Sequence, residues 1–237
     1  NPPFQDDYLQ SPVRQHSGWL IPLAVFLVTL VLSALLMLYY LRPSPATFRA
    51  QTMMPTAKTA MVNLRLHGHG FSVPANYIMF GKARRGGMLG ELALFAMLPG
   101  MTGYTAADAA IFAGNTADSP VVYLLMREDK NNLSPADRLD KIYMPYVANP
   151  AGAPGPFGLM QYAFRDDSGY RRNDLFVGET EAGPLMLLCA RFSPDITSPS
   201  CLAIDRPVAH DVTVSYRFKR AHLARWREIS DKVTALI

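Results

Sequence analysis

The sequence predicts an α+β fold: a single N-terminal transmembrane helix, then a largely antiparallel β-sheet domain with a C-terminal amphipathic helix. Three observations carry this reading. Residues 18–41 contain no charged side chain. Short apolar or alternating runs follow, punctuated by Gly and Pro, as strands and turns are. Near the end, Leu223, Trp226, Ile229, Val233 and Ile237 fall on one helical stripe.

Composition bounds the class. Of 237 residues, 49% are hydrophobic and 18% charged, with a net charge of +4. This excludes collagen-like, disordered and disulfide-framework chains. The mean hydropathy of +0.06 averages two unlike parts, an apolar span and a mixed domain.

The elements follow in order. Residues 1–17 form a short tail with Asp6, Asp7 and Arg14 as its charges. Residues 18–41, GWLIPLAVFLVTLVLSALLMLYYL, predict the transmembrane helix. At ~1.5 Å per residue the run is about 36 Å long, enough to cross a ~30 Å hydrocarbon core. Trp19 at one end and Tyr39 and Tyr40 at the other are placed for the membrane interfaces. Pro22 lies near the start, where its missing N–H costs least. A signal peptide has a shorter apolar core and a small-residue cleavage site; this run ends in Tyr39-Tyr40-Leu41-Arg42-Pro43. Thr29 and Ser33 add a weak small-residue face.

Residues 42–59 hold Pro43, Pro45 and Pro55 and predict an extended spacer. Residues 60–237 then make one domain of ordinary size. Val62, Leu64 and Leu66 alternate with polar neighbours, as do Val212, Val214, Tyr216 and Phe218, predicting strands with one wet face. Runs 92–98, 121–126 and 185–188 are apolar on both sides and suit the middle of a covered sheet. The first is ambiguous, because Leu, Ala and Met favour helix. Weaker strand signals cover 159–164 and 175–179. Helices are expected from Thr105, from Ser134-Pro135, ending before Pro145, and at the C-terminus. The stretch ANPAGAPGPFG, residues 148–158, predicts a surface loop or contact arm.

Cys189 and Cys201 bracket a Pro/Ser-rich connection between two apolar runs. That spacing predicts a disulfide, which places residues 42–237 in an oxidising compartment. The positive-inside count opposes this, since Arg42 and Arg49 flank the long side, but large domains translocate with little regard to charge. The expected location is a bacterial inner membrane with the large C-terminal domain in the periplasm. The layout resembles bitopic bacterial inner-membrane proteins; the likeness covers the order of segments alone.

Candidate sites are sparse. His67 and His69 are two apart on a strand reading, a spacing that can put both imidazoles on one metal; the alternative is a solvated strand face. Arg84 and Arg85 form a basic turn, and Arg217, Lys219 and Arg220 a basic strand end. These five residues are candidate partner contacts, or else solvated surface. Behind a membrane anchor they do not point to nucleic acid. No G-x-S-x-G, H-E-x-x-H or C-x-x-C occurs. The pairs Asp166/Asp167 and Glu179/Glu181 sit in turn-like sequence, where such residues serve backbone geometry. The expected function is a non-enzymatic accessory, scaffold or assembly subunit of a membrane complex. It would have integral membrane partners, the bilayer as its support and no cofactor. The alternative is a membrane-tethered periplasmic enzyme or metal-binding protein using His67 and His69.

Overall fold

The computed structural model describes residues 18–41, 53–130 and 133–237. Pro43 and Pro45 of the expected spacer, and the tail 1–17, lie outside them. Helix α1 spans Leu20–Leu41. Every described side chain on it is solvent-exposed, and by length and composition it can cross a membrane, a property that anchors share with signal sequences.

The second unit is built on two sheets. Strands β1 (Met61–Leu66), β2 (His69–Pro74) and β3 (Gly87–Leu89) form a small one in the order β2-β1-β3. The large one contains β4 (Glu91–Met97), β5 (Val121–Glu128), β6 (Ala153–Pro154), β7 (Met160–Ala163), β8 (Asn173–Thr180), β9 (Gly183–Ala190), β10 (Ser200–Ala209) and β11 (Val212–Lys219). Its order is β4-β5-β11-β10-β9-β8-β7-β6, antiparallel throughout.

The helix-favouring run at Leu92 is a strand, because its residues pair in register with β5 and bury against it. Packing overrides propensity here. It is the outermost strand and not a central one; Ile78 bridges to Leu94 along its free edge. Strand β11 differs from its alternating sequence too. Thr213, Ser215 and Lys219 are buried and Arg217 alone is exposed, because β11 lies inside the sheet and local partners cover its polar residues, Asp205 beside Ser215 and Asn115 and Ser198 beside Lys219.

One face of the large sheet carries the ladder Leu94, Leu124, Tyr216, Ala203, Leu187 and Phe176, each opposite the next. It packs in one core with Leu64, Leu66 and Val73 of the small sheet and with helix α4 (Trp226–Leu236). The predicted stripe of α4 is what enters that core: Trp226, Ile229 and Val233 are buried, with Leu223 from the 3-10 turn before it.

Trp226 also explains a glycine. A Cβ on Gly178 would stand 2.5 Å from the Trp226 ring and 2.8 Å from Leu159. Gly178→Ala is therefore expected to cost about 1–3 kcal/mol through overpacking. Urea denaturation followed by the Trp226 emission, in a chain whose Trp19 is replaced by phenylalanine, will show it as a lower midpoint.

The opposite face has two separate covers. Helix α3 (Pro135–Arg138) is capped by Ser134, whose hydroxyl accepts the Asp137 N–H at 3.0 Å. It runs on through a wider turn at Leu139–Tyr143 into a 3-10 turn at Met144–Tyr146. The helical path thus passes Pro145, because a proline in the first positions of the 3-10 turn needs no N–H bond. Tyr143 packs there with Leu175, Val177 and Met186. At the other end, α2 (Ala109–Ala113) sets Phe112 against Phe95, ring centroids 4.8 Å apart. Between these covers the sheet face is open.

The Pro/Gly arm is the far edge of the sheet. Ala153 and Pro154 pair with Gln161 and Met160, and the Phe157 carbonyl accepts the Trp226 indole N–H at 3.1 Å. Proline on an edge strand leaves no ladder donor to lose. At the other end of the domain, Met53 bridges to Phe80 and the Met54 N–H reaches the Met79 carbonyl, so the last part of the predicted spacer is held against the domain.

Candidate functional site

The open face holds a groove of about 730 Å³. Its floor spans adjacent strands: Ala93 on β4, Tyr123 and Leu125 on β5, Ser215 and Arg217 on β11, and Ser200 and Leu202 on β10. The register fixes the central row. Phe95 lies opposite Tyr123, Tyr123 opposite Arg217, Arg217 opposite Leu202, and Leu202 opposite Leu188. Residues paired in this way project to the same face. Arg217 is thus a single charge in the middle of an apolar row, and it is the exposed member.

Lys219 closes one end of the groove. It is buried, and its ammonium donates to Asn115 Oδ1 at 2.6 Å, Ser198 Oγ at 2.7 Å and the Ser198 carbonyl at 3.2 Å. Burial, then the neighbouring Arg217, pull its pKa below the ordinary lysine range. Burial pushes the Tyr123 phenol up. The Ser198–Lys219 pair has the look of a nucleophile beside a base. However, the Ser198 hydroxyl itself donates to the Thr116 carbonyl at 3.1 Å. The pair ties the 191–199 connection to the sheet.

Beside the groove lies a charged cluster. The Arg138 guanidinium bonds Asp129 at 2.8 Å and Asp205 at 3.2 Å, and Arg127 bonds Asp205 at 3.0 Å. Ser215 Oγ donates to Asp205 at 2.5 Å. The Arg138 side chain is only 6% exposed. A cleft of about 580 Å³ opens on its outer side, next to His67, Glu91 and Glu128. Tyr143 is pushed up to about 12 by burial first, then by Tyr170 and Asp205.

The sequence-predicted residues are scattered. Cys189 and Cys201 lie directly opposite each other on β9 and β10 and are joined. His67 and His69 do not share a strand face. His67 and Gly68 are the turn of the β1–β2 hairpin, both at positive φ, the geometry of a type I′ turn. His67 Nε2 lies 3.2 Å from the Gly90 carbonyl, and Nδ1 lies 3.8 Å from Glu128. Among the described residues no group of three or more His, Cys, Asp or Glu is arranged to hold a metal. Arg84 spends a donor on the Ile78 carbonyl and Arg85 sits in the same short turn. Arg220 is internal in role: it bonds Asp174 and the Ala190 carbonyl, each at 2.8 Å, and stacks over Phe176. Of the five basic candidates, Arg217 and Lys219 are the two brought together.

Sequence reasoning missed Arg138, Asp129, Asp205 and Tyr123. One signal for Asp205 was present. Carboxylate and proline interrupt an apolar strand in LAIDRPVA, and the register shifts there, with Asp205 at φ 26°. That is the mark of a bulge that re-aims a side chain.

No family model matches the chain, and no curated protein matches it. Among solved structures, the fold is similar to that of Smlt3025, an immunity protein of the Stenotrophomonas maltophilia type IV secretion system. The TM-score is 0.51 at 15% identity, covering 75% of this chain and 92% of that one. The Neisseria meningitidis iron-regulated outer membrane lipoprotein FrpD matches with a TM-score of 0.44 at 14% identity, over 79% of this chain and 96% of its own. At these identities the likeness is one of fold.

Proposed function

We propose that this chain is a single-pass, membrane-anchored accessory subunit whose domain binds a protein partner outside the cytoplasm, without enzymatic chemistry. The observation that carries the reading is the open groove. It offers an apolar floor and an exposed guanidinium. An apolar floor with an exposed guanidinium suits the holding of a protein surface. The apolar helix α1, with Trp19, Tyr39 and Tyr40 at its ends, supports an anchor in a bacterial inner membrane. The buried disulfide supports a periplasmic domain. The fold shared with an immunity protein supports a role exercised through a partner.

The test is cross-linking in intact cells followed by purification in mild detergent. A stoichiometric protein partner, linked to the domain, is the expected result. A chain that runs alone, before and after cross-linking, overturns the proposal.

A further inference from the structure

We propose that the groove takes an acidic, extended segment of a protein partner, its carboxylate on Arg217 and its apolar side chains on Tyr123 and Leu202. This rests on the partner-binding reading above and names the partner's chemistry. Charge complementarity selects the occupant. The groove is lined by Arg127, Arg217 and Lys219 and by no carboxylate. Arg127 is neutralised by Asp205. Lys219 is held by neutral acceptors only, and the Arg217 side chain makes no hydrogen bond or ion pair among the described residues. Two positive charges therefore face the groove without a counter-charge.

The neighbours of Arg217 select the rest. It stands between Tyr123 and Leu202 in the cross-strand row. A small anion would meet the guanidinium and leave both apolar flanks wet. An extended segment with apolar side chains two positions either side of a carboxylate covers all three, because alternate side chains share one face. The floor crosses four strands, about 14 Å at ~4.8 Å per strand. Four or five extended residues at ~3.3 Å each span that distance. Arg suits the contact because its planar fork binds a carboxylate through two parallel hydrogen bonds.

The probe is a fluorescein-labelled, capped peptide Ser-Leu-Ser-Glu-Ser-Leu-Ser, whose Leu, Glu and Leu side chains share one face of an extended chain; this Glu-Leu peptide, and a Gln-Leu peptide with Gln in place of its Glu, are titrated against the full chain in neutral-lipid nanodiscs. Saturable binding is expected, weakened at least tenfold by Arg217→Glu and unchanged by Arg85→Glu. It should also weaken as salt rises, since screening acts on exposed charge. The matching Gln-Leu peptide should bind at least tenfold more weakly. Equal binding of the Gln-Leu peptide, or full binding by Arg217→Glu, overturns the assignment. So does equal competition by inorganic phosphate or by phosphatidylglycerol vesicles. If no peptide binds while a cross-linked partner is recovered from cells, the groove assignment fails and the docking role stands. If neither is seen, both fail.

Discussion

Replacing Arg138 with methionine is expected to cost about 3–5 kcal/mol of folding stability, the range for removing one member of a buried ion pair. The side chain is almost wholly enclosed, and it bridges carboxylates from two different strands: Asp129 just beyond the end of β5 and Asp205 in the bulge within β10. Methionine fills most of the volume but leaves acidic groups facing each other in a poorly solvated space. Urea denaturation will read the loss as a lower midpoint at unchanged slope. A second variant separates charge from packing. Adding Asp205→Asn removes a charge that Arg138 had balanced, so the double variant should be more stable than Arg138→Met alone. If the double variant is less stable by the sum of the two single losses, the cluster is held by shape and not by charge. The expected damage is local as well as global. Ser215 and Arg127 line the groove and both bond Asp205, so relaxing this cluster loosens one wall of the groove.

The elements themselves were legible wherever the signal was local. Ser134-Pro135 announced a capped helix, the terminal stripe announced α4, and the connection between the cysteines announced two joined strands. These depend on residues a few positions apart. Readings that needed a distant partner failed. His67 and His69 look like one strand face until Leu66 is seen to pair with His69; the turn is decided by the return of β2, not by the histidines. Arg217 read as one of several charges on a wet face. Its character comes from Tyr123 and Leu202, which lie far away in sequence and meet it through β5 and β10. Lys219 and Arg220 looked interchangeable with it, yet Lys219 is turned to Asn115 and Ser198 and Arg220 to Asp174. Alternation tells which residues share a face, but not what covers that face.

The disulfide is the second large term. A chain carrying both Cys189→Ala and Cys201→Ala is expected to lose about 3 kcal/mol, the loop-closure value for a bridge of this short span. For a chain of this size that is roughly 6–12 °C in Tm. The expectation follows from position as much as from loop length. The two cysteines face each other across adjacent interior strands and are fully buried, so the bridge joins the part of the sheet where Leu187, Leu188, Leu202 and Ala203 pair. The connection it closes carries Ser198, which holds Lys219 at the end of the groove. Loss of the bridge should therefore weaken binding in the groove before it unfolds the sheet. Burial also predicts the kinetics. A soluble reductant reaches these sulfurs only when strands β9 and β10 open, and central strands open near the global free energy. Alkylation with mass readout should then find both cysteines protected in millimolar dithiothreitol at neutral pH, and labelled once denaturant is added. The same chemistry on unreduced cells tests the compartment: protection even after denaturation means the bridge was formed in place, whereas two alkylated thiols would put the domain in the cytoplasm and remove the periplasmic reading.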